Sequence, residues 1–157
     1  MVRVVFDTNI FIQYFLNPGG LAGHCLKIVK DKKARLFISN AILNEIISVL
    51  LRPDVLSRFP DLTDLSIDAF VNDVASISNL VNPVPKNFTF ERDPKDEMVV
   101  DLAVHSDAKY IVSRDNDLLD LMTGYTDECK DFRRRFRGLK VVTPTEFLAT
   151  VEEAIST

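Results

Sequence analysis

Long apolar runs are missing from this chain: no uninterrupted stretch approaches about 18 residues, so no membrane span is expected. The N-terminus has no basic region followed by an apolar stretch and runs straight into Val2-Arg3-Val4-Val5-Phe6, so no secretory signal is expected. Cysteine is scarce. Cys25 and Cys129 are far apart and form no CxxC pattern, which makes reduced thiols in a cytoplasm the expectation. The only two histidines, His24 and His105, have no metal-ligand spacing to a cysteine or to each other. That leaves no Ser-His-Asp or Cys-His constellation for nucleophilic catalysis. Glycine and proline are sparse, and there is no low-complexity tract, repeat or linker.

What is present is enough apolar material for a core. Hydrophobic residues make up 46% of 157 residues, which suits one compact domain spanning 1–157. The net charge of −4 counts against a nucleic-acid binder, because phosphate contacts need Lys and Arg. A local acidic excess gathered around a divalent cation would carry the same overall sign.

Hydrophobic patterning predicts short buried strands at Val2 to Phe6, Leu36 to Ile38, Leu80 to Val84, Tyr110 to Val112 and Leu139 to Val142. Helices are predicted between them. They run from Ile10 to Phe15, Leu21 to Lys30, and from a Ser39 or Asn40 cap through Leu51 to a stop at Pro53. Asp64 to Ser78 is the clearest amphipathic helix, with Ile67, Phe70, Val71, Val74 and Ile77 at helical spacing. Lys86 to Arg92 reads as loop. Asp93-Pro94-Lys95-Asp96 opens a helix that ends near Asp107, and Asn116 to Met122 is a short one. Gly124 to Arg137 is polar and shows no period that assigns it. Thr143-Pro144-Thr145-Glu146 is a capping box before the last helix, Thr145 to Ala154. Alternating strands and helices predict an α/β fold with a parallel sheet, whose ligands bind beyond the carboxyl ends of the strands where the strand order reverses.

Four acids are candidates for that edge. Asp7 follows the first strand and Asp115 follows the strand at Tyr110 to Val112. Glu45 shares a helix face with Ile42 and Val49, and Asp96 shares one with Val99, Val100 and Ala103, so both point with apolar side chains. Converging buried carboxylates must protonate or bind cations, and oxygen ligands suit Mg²⁺ or Mn²⁺. Each acid also has a bland reading. Asp7 can be a strand-end turn residue, Glu45 a partly exposed helix residue, Asp96 the third position after an Asp93 cap, and Asp115 a cap with Asp117 favouring the helix dipole.

At these positions the chain resembles the PIN-domain family, most of all the VapC-type toxins of toxin–antitoxin pairs. The resemblance rests on Val4-Val5-Phe6-Asp7-Thr8-Asn9, on Ser39-Asn40-Ala41-Ile42-Leu43-Asn44-Glu45-Ile46, on Asp96 with Val99, Val100 and Ala103, and on Ser113-Arg114-Asp115-Asn116-Asp117 after the Tyr110 strand. Thr143-Pro144-Thr145-Glu146-Phe147-Leu148 is similar to the end of that fold. It implies a three-layer α/β/α domain around a central parallel sheet of four to five strands. It also implies a Mg²⁺- or Mn²⁺-dependent endoribonuclease with Asp7, Glu45, Asp96 and Asp115 as catalytic metal-site acids, and Asp117 as a fifth. Asn9 and Ser113 would hold waters or orient carboxylates. The implied partners are an RNA substrate, a small antitoxin and a second copy of the chain.

Two basic stretches stand outside this set. Arg133, Arg134 and Arg135 could hold RNA phosphates, or form a solvated charged turn. Lys27, Lys30, Lys32, Lys33 and Arg35 carry the same two readings. The competing functional reading keeps the fold as a catalytically inactive RNA- or protein-binding module. A phosphatase with an aspartyl nucleophile is disfavoured, because Asn9 stands where the second Asp would be needed.

Overall fold

The computed structural model describes residues 1–156; Thr157, the last residue of the expected domain, lies outside them. Five strands form one sheet: β1 (Val2–Phe6), β2 (Ala34–Ser39), β3 (Asn79–Val81), β4 (Tyr110–Val112) and β5 (Lys140–Val142). Their order is β3-β2-β1-β4-β5 and every pairing is parallel. Burial on both faces explains why the end of β1 and all of β4 read as apolar runs: Val4, Val5, Phe6, Ile111 and Val112 are all fully buried.

The first crossover carries α1 (Thr8–Leu16) and α2 (Leu21–Lys30), and the second carries α3 (Asn40–Leu50), α4 (Pro53–Arg58) and α5 (Asp64–Ser76). Both step outward from β1 in the same direction. The chain then returns across β2 and β1 through α6 (Glu97–His105) to β4, on the other side of β1. Right-handed crossovers that step in opposite directions put their helices on opposite faces, which makes the three layers. After β4 come α7 (Asn116–Leu119) and α8 (Asp127–Arg135), and after β5 comes α9 (Pro144–Ser156), which packs on α2. Phe147 of α9 meets both Phe6 and Tyr110 edge-on, closing that layer over β1 and β4.

Because β1 leads one way and β4 the other, the sheet's switch point lies between them. Register holds it: Phe6 stands opposite Val112, and the Asp7 amide donates to the Val112 carbonyl at 2.9 Å. Among the described residues, no helix is long and apolar enough to cross a membrane.

Several boundaries differ from the sequence expectation. Asp7 caps α1 directly, so the helix begins at Thr8 and not at Ile10. Pro53 ends α3 and also starts α4, where its missing N–H costs nothing. The third strand is shorter and earlier than Leu80 to Val84, because Pro83 and Pro85 cannot extend a ladder. Asp96 closes a 3-10 turn, Pro94–Asp96, ahead of α6. Segment 124–137 contains α8, capped by Thr126 with acids in its first turn and arginines in its last, an order that suits the helix dipole.

Candidate metal centre

Asp7 sits at the carboxyl end of β1 because its backbone leaves the sheet there and its side chain caps the next helix. Both oxygens are held. Oδ1 accepts from the Thr8 amide at 2.7 Å; Oδ2 accepts from the Ser113 hydroxyl at 2.7 Å and from Asn9 Nδ2 at 3.1 Å. Ser113 is fully buried and in turn accepts from the Asp115 amide at 2.9 Å. Asp115 caps α7, its Oδ1 accepting from the Asp117 amide at 2.9 Å. The bland reading of Asp7 and Asp115 as caps is therefore correct as far as it goes, and it is also what aims their carboxylates across the switch point.

Asp96 arrives from the opposite layer. One oxygen from each of Asp7, Asp96 and Asp115 lies within 4.8 Å of the others. They line a cavity of about 270 Å³. Glu45, half-buried on α3, forms part of its wall but stands outside that three-oxygen cluster. Asp117 is not in the wall. It forms a second group with Asp93 and Asp115, again with oxygens within 4.8 Å, and pairs with the Arg92 guanidinium, which also holds Asp120 at 2.8 Å.

Electrostatics mark the first cluster as a place short of positive charge. Burial pushes the Asp7 carboxyl up to about 6, against the Ser113 and Thr8 hydrogen bonds, with Asp115 and Glu45 adding repulsion. Burial raises Asp96 further, well above the usual carboxylate range, reinforced by Asp7, Asp115 and Asp93. Asp96 Oδ2 is buried without a hydrogen-bond partner. An acceptor in that position is costly unless a proton or cation meets it. The donor set is all oxygen, with no His or Cys in the wall, which fits a hard cation such as Mg²⁺ or Mn²⁺.

Sequence reasoning missed Asp93 as more than a cap, although it both accepts from the Lys95 amide and lines the cavity. It also missed the cations in the wall. Arg52 and Lys95 both line the cavity and form no ion pair among the described residues. They come from separate elements, so no run or spacing could announce them.

The arginine cluster occupies the last turn of α8 and bonds within its own chain. Arg133 donates to the Leu121 and Gly124 carbonyls, each at 2.8 Å, and so ties α8 to the turn before it. Arg134 and Arg135 pair with Asp131, and Arg135 also donates to the Asn87 carbonyl. Arg135 and Arg137 border a larger cavity, about 380 Å³, beside Lys109 and Leu139. Those two residues immediately precede β4 and β5, so this cavity opens at the amino end of the sheet, away from the acids. Cavity size does not pick the site here; the converging carboxylates do.

Residues 3–117 match the family model described as PIN domain, a span that includes Asp7, Glu45, Asp93, Asp96, Asp115 and Asp117. The chain is also 33% identical over 155 residues to an uncharacterized protein of Methanocaldococcus jannaschii, covering 99% of this chain and 95% of that one. This second likeness extends through β5 and α9, which lie beyond the family match.

Proposed function

The chain belongs to the PIN domain family, and from that premise we propose that it is a divalent-cation-dependent endoribonuclease that hydrolyses RNA phosphodiester bonds. The observation that carries this reading is the meeting of Asp7, Asp96 and Asp115 from three separate elements, with the Asp96 Oδ2 buried and unpartnered among them.

Asp7, Asp96 and Asp115 would hold the cation. Mg²⁺ or Mn²⁺, when bound, lowers the pKa of water and offsets the charge that develops on a phosphate under attack. The residues of the chain do the rest. Thr8, Asn9 and Ser113 fix the Asp7 carboxylate so that no reorganisation is needed on binding. Glu45 faces the same cavity, makes no side-chain hydrogen bond among the described residues, and is placed to take a proton from the attacking water. Arg52 and Lys95 in the wall supply cations for the backbone phosphates that a net charge of −4 otherwise lacks. Asp93 and Asp117 would offer oxygens to a second cation beside Asp115, in competition with the Arg92 guanidinium that pairs with Asp117.

The finer role is that of the toxin in a type II toxin–antitoxin pair, inhibited by a small antitoxin and acting as a homodimer in the cytoplasm. Its support is the likeness of the four acidic motifs to VapC-type toxins, together with two buried cysteines that form no disulfide.

The test is cleavage of single-stranded RNA by the purified protein with Mn²⁺ or with chelator, beside Asp7→Asn and Asp115→Asn. The proposal expects cleavage with Mn²⁺ alone and none by either variant. Full cleavage by both variants would remove the site assignment. RNA bound but left intact by the Mn²⁺-loaded wild type would make the chain a binding module.

A further inference from the structure

We infer that a second recess beside the acidic cavity, lined by Gln13, Asn17, Leu21 and Arg114, holds a phosphate of the same RNA strand adjacent to the scissile one. This subsite rests on the ribonuclease reading above.

Four observations lead to it. The recess, about 250 Å³, and the acidic cavity share a wall residue, Gln13. Asn17, the residue that ends α1, also lines the recess, so two amide side chains border it, one of them shared with the acidic cavity. Arg114 stands in the loop between Ser113 and Asp115, and it lines the recess and not the acidic cavity that Asp115 lines. Finally, Arg114 is exposed and has no ion-pair partner among the described residues, whereas Arg92, Arg134 and Arg135 all pair with aspartates.

An unpaired guanidinium beside neutral amides suits a phosphodiester oxygen pair, which a planar fork can grip with two donors. Gly20 caps α2 without a side chain, so the positive end of that helix opens on the same recess and agrees with the sign of the ligand. Arg52 and Lys95 line the acidic cavity and Arg114 the recess that shares Gln13 with it, so cations border both spaces. A single strand can pass from one to the other, with one phosphate at the acids and the next at Arg114.

The experiment compares wild type with Arg114→Gln. Arg114 is solvent-exposed, so the variant is expected to fold. Binding of a fluorescent single-stranded oligoribonucleotide is followed by anisotropy in chelator over a range of salt. KM and kcat are taken with Mn²⁺, and Mn²⁺ affinity by calorimetry. The subsite predicts several-fold weaker binding by Arg114→Gln and a salt slope smaller by about 0.7, the share of one single-strand phosphate contact. KM rises while kcat and Mn²⁺ affinity hold. Equal affinity and equal slope for the two proteins would overturn the subsite and leave the ribonuclease reading standing. A fall in kcat at unchanged KM would also overturn it, by showing that Arg114 acts through Asp115. Wild type that neither binds nor cuts RNA would take down both.

Discussion

The Ser113 hydroxyl donates to Asp7 Oδ2 at 2.7 Å and accepts from the Asp115 amide at 2.9 Å, so one buried side chain ties together two acids that lie 108 positions apart, Asp7 to Asp115. A hydroxyl does both through a single oxygen, giving a hydrogen bond to one partner and taking one from the other. Ser113→Ala leaves the amide unanswered and Asp7 with one donor fewer. We expect a loss of about 1–3 kcal/mol in urea unfolding and Mn²⁺ affinity weaker by roughly tenfold or more in calorimetric titration. Unchanged Mn²⁺ affinity would show that Ser113 does not orient the site.

In chelator, stability should fall as pH rises. Asp7 is raised from 3.8 to about 6 in the folded chain, so the folded state binds the proton more tightly than the unfolded one. The stability this contributes is complete below the unfolded value and is lost as pH climbs through the folded one, a change on the order of 3 kcal/mol. Asp96, raised for the same reason, extends the loss to higher pH. A divalent cation replaces the protons, so the Tm gain on adding Mg²⁺ should be larger at about pH 8 than at about pH 5. Thermal melts check this; a Tm in chelator that is flat or rises over that range contradicts it.

Asp96→Asn should separate stability from binding. The amide keeps the shape and needs neither a buried charge nor the proton that Asp96 must take up on folding near neutral pH, so unfolding in chelator at that pH should become harder by about 1–2 kcal/mol, or roughly 2–8 °C in Tm. The Tm gain with Mn²⁺ should disappear, and RNA cleavage with it. A variant that is no more stable than wild type yet still responds to Mn²⁺ would mean that Asp96 is a helix-start residue and nothing more.

Much of this site was legible because β1 and β4 are short, largely apolar strands, each followed by acids or their partners. Period and punctuation put Asp7 and Asp115 each after a strand, and the pairing of β1 with β4 is what brings them to one sheet edge. What stayed hidden came from contacts between segments that carry no local pattern. Phe88 and Phe90 lie in a stretch that reads as loop and is irregular, yet both are buried, Phe88 edge-on to Phe132 and Phe136 of the α8 region. In α8, Cys129 and Phe132 are the buried residues, too few to show a helical period; its charge order was the readable signal. Asp93 hid because a cap explained it fully.

Arg133 sits in a basic run yet directs its guanidinium to carbonyls of its own chain. Arg133→Met keeps the apolar stem and abandons the Leu121 and Gly124 carbonyls. A cost of about 1–3 kcal/mol in urea unfolding is expected. Oligoribonucleotide affinity and its salt slope should match wild type. A reduced slope would return this cluster to the RNA interface.

The most direct test is anomalous diffraction from a crystal soaked in Mn²⁺. A peak in contact with carboxylate oxygens of Asp7, Asp96 and Asp115 is predicted, and its absence from an Asp96→Asn crystal soaked alike. Density confined to surface acids, with those three carboxylates bare, would contradict the account.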